Sequence, residues 1–325
     1  INLSAANLLL SNAAGFTPTP GSSFLIVDNT GSNPVGGTFA SLPAGAQVHA
    51  IDSGRRFHIS YTGGTGNDIV LVRNSPPTAA SAGPYSVNED QNLSVNSPAG
   101  VLVGAADPNP ADTVTASLVT GPSNAAAGGF VLHPDGSFSY TPATHFSGSD
   151  SFVFAADDGD LQSNPITVNI NVVAVADAPN LDLDSATGGE QLTGTATGDE
   201  DTAIALDVAA SLADTDDSET LTVTVGGIPV DAILSDGVNS FTAIVGNQSV
   251  DVSAWALANL AITPPLNDHD DFVLSVLAAA TESANSDVAT KSGTVNVTVN
   301  AVNDRPVATD AVRTSTEDSG TFSVD

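Results

Sequence analysis

The chain has 325 residues, and its 37 acidic residues outnumber six Lys and Arg, so the formal net charge at pH 7 is −31. This charge repels nucleic acid and anionic membrane surfaces, which excludes them as partners and favours divalent cations instead. The chain contains no Cys, which excludes disulfides, thiolate catalysis and sulfur-ligated zinc.

The N-terminal part, residues 1–74, ends in a glycine-rich stretch that permits two interpretations. "GGTGNDIVL" (63–71) fits the calcium nonapeptide G-G-x-G-x-D-x-U-x of toxin-type repeats. Such a calcium turn needs stacked copies, and the pattern occurs here once. "FHISY" (57–61) and "DIVLV" (68–72) flank the turn and favour a β-hairpin, with the calcium turn as the alternative.

Further along the chain, two segments alternate apolar and polar residues with a period of two, which is typical of half-buried strands. They are "ITVNINVVAV" (166–175) and "GTVNVTVNAV" (293–302). Helical periodicity is almost absent apart from one expected short turn in "VSAWALANL" (252–260). Together with abundant Gly, Pro, Thr and Val, this predicts an all-β protein with many short strands.

Acidic pairs recur at the spacing of one β-sandwich. The glutamates of "NED", "DED" and "TED" are Glu89, Glu200 and Glu317, separated by 200 − 89 = 111 and 317 − 200 = 117 residues. The repeat predicts a β segment at 1–74, a first sandwich at 75–176, a second, diverged sandwich at 177–303, and the opening strand of a further sandwich at 304–325.

More of the repeat matches in the same order. "DPNPADTVT" (107–115) aligns with "DTDDSETLT" (214–222), and "YTPATHFSGSDSFVF" (140–154) aligns with "ITPPLNDHDDFVLSV" (262–276). The second alignment places Phe152 opposite Phe272 in the repeat. The acidic loop "NDHDDF" within it is expected to be a solvated hairpin turn.

"YSVNEDQNLSV" (85–95), "DGSFSYTPATHFSGSDSFVFAADDGD" (135–160) and "VAVADAPN" (173–180) resemble the cadherin-like tandem repeats of giant bacterial surface adhesins. The resemblance implies tandem Ig-like or cadherin-like Greek-key sandwiches that act as a calcium-stiffened spacer. "GFTPTPGSSFLIVDNTGSNPVGGTFASLPAG" (15–45) and residues 57–74 resemble the end of an autotransporter-associated β-strand repeat, which implies a β-hairpin or β-solenoid-like segment.

The recurring acids and amides supply the oxygen ligands that Ca²⁺ prefers. We expect the loops at one pole of the first sandwich to bring Glu89 together with Asp107, Asn109 and the "DDGD" acids. Ordinary turn chemistry is the alternative for each motif taken alone. The full predicted metal set is Glu89, Asp107, Asn109, Asp157, Asp158, Asp160, Asp177, Glu200, Asp201, Asp214, Asp216, Asp217, Asn303, Asp304 and Glu317, with Glu282 as a weaker candidate.

These patterns predict a non-enzymatic, extracellular segment of a bacterial surface adhesin or filament, with the neighbouring domains of the same chain as its partners. No nucleophile elbow or H-E-x-x-H motif occurs. The apolar runs are too short to cross a bilayer, and the absence of Met predicts a mature or internal segment. The strand at 304–325 could pair with another copy by β-strand addition. The alternative function is a carbohydrate-binding module, for which Tyr61, Tyr85 and Tyr140 are the tyrosine candidates.

Overall fold

The computed structural model describes residues 2–4, 6–64 and 66–304. Strands make up 44% of the structure and helices 2%, which confirms the predicted all-β fold class. The described residues form two compact units. The first unit contains the chain up to residue 176 together with two later loops, 214–219 and 282–287, and the second unit contains the rest.

The N-terminal part of the first unit is a four-stranded antiparallel sheet in the order β1-β4-β3-β2. Its strands are β1 (Ser23–Val27), β2 (Gln47–His49), β3 (Arg56–Gly63) and β4 (Asp68–Arg73). Phe57, Ile59 and Leu71 are buried in a core that belongs to this sheet.

Strands β3 and β4 form the predicted hairpin, with Gly63 paired to Asp68. Gly64 has a φ of 54°, a left-handed conformation that glycine adopts without strain. Asp68 is buried, and its Oδ1 accepts a hydrogen bond from the backbone N–H of Asn29 at 2.7 Å. The conserved positions of the nonapeptide pattern therefore serve a hairpin turn in a single antiparallel sheet.

The first sandwich packs two sheets, β5-β11-β10-β7 and β6-β9-β8, around one core. Strand β5 runs parallel to β11, and the remaining pairs are antiparallel, which gives the Greek-key arrangement of Ig-like domains. The strands are β5 (Tyr85–Asn88), β6 (Leu93–Val95), β7 (Thr115–Thr120), β8 (Ala125–Leu132), β9 (Phe138–Pro142), β10 (Gly148–Asp157) and β11 (Ile166–Val173), with a short 3₁₀ helix at Ser97–Ala99.

The second unit contains a sandwich of the same kind, with sheets β13-β22-β21-β16-β19 and β14-β20-β17-β18 and a small β12-β15 pair. The strands are β12 (Asn180–Asp182), β13 (Thr193–Asp199), β14 (Ile204–Ala205), β15 (Ala209–Ser211), β16 (Glu219–Gly226), β17 (Ile233–Ser235), β18 (Ser240–Thr242), β19 (Val250–Asp251), β20 (Ala261–Thr263), β21 (Phe272–Glu282) and β22 (Val288–Asn300). The expected helical turn is a 3₁₀ helix at Leu257–Asn259.

Both alternating segments are strands with one buried face. In β11 the buried residues include Val168, Ile170 and Val172, and in β22 they include Val295 and Val297. The polar residues between them are exposed. This confirms the period-two prediction, and it places the last strand of each sandwich in the centre of its larger sheet.

The strand register corrects one detail of the repeat. Phe152 pairs with Val168, whereas Leu274 pairs with Val295, at the same distance from the end of β22. Leu274 is therefore the equivalent of Phe152, and the alignment with Phe272 was wrong by two residues. The two aligned segments, counted from Tyr140 and Ile262, also place Phe152 opposite Leu274, so the error lay in the residue named and not in the sequence pattern.

The loop 267–272 is also different from its prediction. It connects β20 with β21, which belong to different sheets, so it is not a hairpin turn. Most of its residues are exposed, and Asp271 accepts a hydrogen bond from the N–H of Val299 through Oδ1 at 2.9 Å.

Candidate metal centre

Glu89 lies directly after β5, beside the exit of β11. Its backbone N–H donates to the carbonyl of Val173 at 3.0 Å, and its Oε1 accepts from the N–H of Val175 at 2.6 Å. The residue is 4% exposed. Because β5 runs parallel to β11, the ends of both strands meet at the same pole of the sandwich.

This position corrects the predicted grouping of Glu89 with Asp107 and the "DDGD" acids. Asp107 belongs to the connection between β6 and β7, and the acids of "DDGD" belong to the turn between β10 and β11. That turn precedes β11, whereas Glu89 lies beside its exit. The two sets therefore occupy opposite poles of the first sandwich.

The loops 214–219 and 282–287 bring further carboxylates to the pole of Glu89, all within the first unit. Ser218 Oγ lies 3.4 Å from Asp214 Oδ2 and 3.3 Å from Glu282 Oε1, and its single O–H proton is shared between the carboxylates of the two loops. Asp214, Glu219 and Glu282 are 3%, 7% and 1% exposed. The carboxylate cluster consists of Glu89, Asp214, Asp216, Glu219 and Glu282.

Two hydrogen bonds hold these loops against the exit of β11. The Asn285 side-chain amide donates to the carbonyl of Ala174 at 2.8 Å, and the N–H of Ala176 donates to Asp287 Oδ2 at 3.2 Å. The loop 214–219 is shaped by an Asx turn in which the N–H of Asp216 donates to Asp214 Oδ1 at 2.9 Å. The first two contacts hold the loop 282–287 beside the exit of β11, and the charges of Asp214 and Glu282 raise the pKa of Glu89.

The electrostatics of the carboxylate cluster are unfavourable without a cation. Burial raises the pKa of Glu89, and the charges of Glu282, Asp214 and Asp90 raise it further. Burial likewise raises the pKa of Glu282, and Glu219, Asp216 and Asp214 add to this effect. Hydrogen bonds from Val175 and Ser218 lower the pKa of Glu89 and Glu282 respectively, against these effects. His145 Nδ1 lies 3.5 Å from Asp90 Oδ2, whereas Arg56, Arg73 and Lys291 pair with acids outside the cluster.

Two buried oxygens of the cluster, Oε2 of Glu89 and Oε2 of Glu282, have no hydrogen-bond partner among the described residues. A buried carboxylate oxygen without a donor is costly, because its water shell has been removed and nothing replaces it. Hard cations with several oxygen ligands, such as Ca²⁺, satisfy such groups. The residues present therefore fit a calcium ion.

The remaining members of the predicted set near these loops are peripheral. Asp216 and Asp217 are exposed, and Asp217 adopts a φ of 71° in the turn. Asp177 is half-buried and belongs to the second unit. The structure thus brings Glu89 and Asp214 of the predicted set together with the weaker candidate Glu282 and with Glu219, which the predicted set lacked, while the exposed Asp216 lies at the edge of this cluster.

At the opposite pole, the first sandwich meets the N-terminal sheet. Four acids and one amide lie at this end, and we call this group the N-terminal pole. Its members are Asp107, Asn109, Asp112, Asp158 and Asp160. Carboxylate oxygens of Asp107, Asp112 and Asp158 lie within 4.8 Å of one another. The predicted residue Asp157 is adjacent, and its side chain accepts from the N–H of Gly159 and from Gln162.

Three cationic or potentially cationic side chains of the N-terminal sheet contact this pole. Arg56 Nη1 lies 3.5 Å from Asp112 Oδ2 and 3.8 Å from Asp158 Oδ1, and Arg73 Nη1 lies 2.6 Å from Asp160 Oδ2. His58 Nε2 lies 3.1 Å from Asp112 Oδ2. Sequence reasoning missed these basic residues, because nothing in their spacing indicates which acids they meet.

The second sandwich repeats the geometry of Glu89 at its own exit. The N–H of Glu200 donates to the carbonyl of Asn300 at 3.0 Å, and Glu200 Oε1 accepts from the N–H of Val302 at 2.6 Å. Asn303 and Asp304 are exposed beyond it. Glu317, and the rest of the predicted strand at 304–325 after Asp304, lie outside the described residues.

The residues after the two glutamates are equivalent as well. Asp90 and Asp201 have φ values of 55° and 59°. Asp90 Oδ1 accepts from the N–H of His145 at 3.0 Å, and Asp201 Oδ1 accepts from the N–H of Asn267 at 2.8 Å. The recurring acidic pair is therefore one structural motif in which the glutamate binds the exit strand and the aspartate fixes a loop.

Comparison with known proteins agrees with part of this description. Residues 74–174 match the family of bacterial cadherin-like domains, and this match covers the first sandwich but less than half of the chain. No curated protein matches the chain at a significant level.

Among solved structures, human mucin-like protocadherin EC1-2 is 16% identical with a TM-score of 0.37, and the alignment covers 70% of this chain and 98% of that one. Human CDH23 EC21-23 is 13% identical with a TM-score of 0.37, covering 68% and 69%. An endo-fucoidan hydrolase of glycoside hydrolase family 107 is 15% identical with a TM-score of 0.26, covering 91% and 44%. These likenesses are weak.

Proposed function

We propose that this chain is a segment of an extracellular adhesion or structural protein, a spacer without enzymatic activity that calcium makes rigid. The cadherin-like match over residues 74–174 supports an adhesion or structural module. None of the helices in the described part of the chain is long and apolar enough to span a membrane.

The observation that carries the proposal is the carboxylate cluster. Glu89, Asp214 and Glu282 are buried, two of their oxygens have no hydrogen-bond partner among the described residues, and neighbouring acids raise the pKa of both glutamates. Ca²⁺ takes six to eight oxygen ligands, and carboxylates and carbonyls suit it. Glu89, Asp214, Glu219 and Glu282 would hold the ion.

Bound calcium would restrict motion because of where the ligands lie in the chain. Glu89 belongs to the first sandwich, whereas the other ligands lie in the loops that precede β16 and follow β21. An ion that binds all of them ties these loops to the end of β5. The strands that continue from the loops then lose freedom, which is the property that a spacer needs.

Calorimetric titration of the whole chain with Ca²⁺ tests the proposal. We expect Glu282→Gln to raise the Kd of the tightest site by at least about tenfold, or about 1.4 kcal/mol, because one anionic ligand is lost without a change of size. Asp270→Asn is the matched control, since this exposed acid lies outside the cluster and should leave binding unchanged. Absence of calcium binding in the unmodified chain, or equal binding by the Glu282→Gln variant, would contradict the proposal.

The alternative, a carbohydrate-binding module, needs an exposed aromatic platform. Tyr140 is fully buried and its hydroxyl donates to Asp150 Oδ2 at 3.0 Å. Tyr85 packs edge-on against Phe138 with a centroid separation of 4.9 Å, and Tyr61 donates to the carbonyl of Leu42. None of these three tyrosines is free to stack on a sugar, so they do not support this alternative.

A further inference from the structure

The N-terminal pole of the first sandwich contains four acids, against five in the carboxylate cluster, but most of its oxygens already have partners. Asp158 Oδ1 accepts from the N–H groups of Asp160 and Leu161, and its Oδ2 accepts from Asn74 at 2.9 Å. Asp160 Oδ2 accepts from Arg73 at 2.6 Å. These hydrogen bonds leave little for a metal ion to satisfy.

The other residues of the N-terminal pole also accept hydrogen bonds from neighbouring side chains or backbone N–H groups. Asp112 accepts from Gln47 through Oδ1 and lies 3.1 Å from His58 Nε2 through Oδ2. Asn109 Oδ1 accepts from the N–H of Ser75 at 2.9 Å. Oδ2 of Asp107 is the single buried carboxylate oxygen of this pole, within the described residues, that lacks a hydrogen-bond partner.

Arg56 occupies the place where the three converging carboxylates would hold a cation. Its Nη1 contacts both Asp112 and Asp158, and donates to the carbonyl of Asp158 at 2.7 Å. The side chains of Arg56 and Arg73 are 12% and 6% exposed. The chain has only six Lys and Arg, so the burial of two of them here is a large share of its positive charge.

We infer that Arg56 and Arg73 take the place of calcium at the N-terminal pole, so that residues 1–74 dock on the first sandwich without a metal ion. Asn109, Asp158 and Asp160 of the predicted ligands then form an intramolecular contact with residues 56–75, whereas Asp107 and Asp157 accept hydrogen bonds within their own loops. Guanidinium groups suit this role, because they remain charged when buried and present several donors in a fixed geometry. The contrast with a calcium-dependent carboxylate cluster rests on the proposed function.

Hydrogen exchange of the whole chain, measured in Ca²⁺ and in chelator, separates the two poles. The reporter amides of the N-terminal pole are Ser75, Asn109, Asp160 and Leu161, and we expect their exchange rates to be equal in both conditions. The reporter amides of the carboxylate cluster are Val175, Ala176, Asp216 and Ser283, and Ca²⁺ should slow their exchange. Slower exchange at the N-terminal pole in Ca²⁺ would overturn the inference and leave the proposed function in place.

A double variant, Arg56→Gln with Arg73→Gln, tests the inference independently of the proposed function. Losing two charge-assisted contacts should speed exchange at the reporter amides of the N-terminal pole by at least about tenfold, whether calcium is present or not. Arg55→Gln is the matched control, because Arg55 is adjacent and similarly half-buried but forms no ion pair with the acids of this pole among the described residues, so its loss should change nothing. Unchanged exchange at this pole in the double variant would overturn the inference. No response to calcium at either pole would contradict the proposed function alone.

Discussion

Glu89 and Glu282 are two carboxyl groups whose ionised forms are disfavoured both by burial and by repulsion from neighbouring carboxylates. Both are buried, and each has its pKa raised by burial and by neighbouring carboxylates. A carboxyl with a raised pKa in the folded state favours folding when it is protonated and opposes folding when it is ionised. The carboxylate cluster is therefore a source of instability at neutral pH unless a cation binds.

This conflict predicts the pH dependence of the metal-free chain. Between the ordinary glutamate pKa of 4.5 and the raised folded values, the folded state binds more protons than the unfolded state. The contribution of Glu89 and Glu282 to the free energy of unfolding should therefore fall as pH rises through this range. Urea unfolding in chelator across this range measures it.

The variant Glu89→Gln with Glu282→Gln provides the control for this measurement. Its unfolding free energy should decrease less with rising pH than that of the unmodified chain, because the two titrating groups are gone. The repulsion from the net charge of −31 is nearly the same in both proteins and is subtracted. Identical pH profiles would show that these glutamates ionise normally.

The sequence could predict individual members of the carboxylate cluster but not their grouping. Glu89, Asp214 and Asp216 were identifiable because acids recur in the same order in both sandwiches. Glu282 was harder to place, because the β21–β22 pairing extends to Thr281 and Val288, whereas β10–β11 pairing ends at Phe154 and Ile166. A longer hairpin breaks the residue-by-residue alignment of the two turns.

At the scale of elements, the β3–β4 hairpin shows how a calcium pattern can serve a turn. A Cβ on Gly64 would come within 2.0 Å of Asp68 Oδ2, and the φ of 54° disfavours any residue with a side chain. Asp68 is buried and cannot move aside freely. Packing and backbone conformation therefore account for Gly64 and Asp68 in this turn.

Gly64→Ala should therefore destabilise the N-terminal sheet by about 1–3 kcal/mol, through backbone strain and the close contact with Asp68. Gly66→Ala is the control: its φ is also positive, at 99°, but nothing lies within 4 Å of the added Cβ, so its effect should be smaller. Thermal unfolding measures both. If Gly64→Ala instead removed a calcium-binding site in a calorimetric titration, the toxin-type calcium turn would be the correct interpretation.

The strands β11 and β22 and their buried faces were predictable, because apolar and polar residues alternate regularly in both. In such a pattern the apolar residues all lie on the buried side. That Glu89 and Asp107 lie at opposite poles of the first sandwich was not predictable in the same way. Their separation depends on β5 running parallel to β11, and strand direction within a sheet leaves no trace in the spacing of residues.

For the whole molecule, a net charge of −31 means that the folded chain repels itself, and calcium binding would relieve part of this repulsion. The negative charge of the acids is compensated to different extents at the two poles of the first sandwich. Those at the N-terminal pole are matched by Arg56 and Arg73, whereas the charges that raise the pKa of Glu89 and Glu282 come from neighbouring acids. Metal dependence should therefore be concentrated at the cluster.

We expect calcium to stabilise the folded chain. Thermal unfolding in Ca²⁺, in Mg²⁺ and in chelator measures this stabilisation. An ion that binds only the folded state contributes RT ln(1 + [L]/Kd), about 2.7 kcal/mol per site at a hundred times Kd. We expect Ca²⁺ to raise the Tm above its value in chelator. Mg²⁺ should have little effect, because it demands octahedral geometry and dehydrates reluctantly. The same Tm in Ca²⁺ and in chelator would contradict the account.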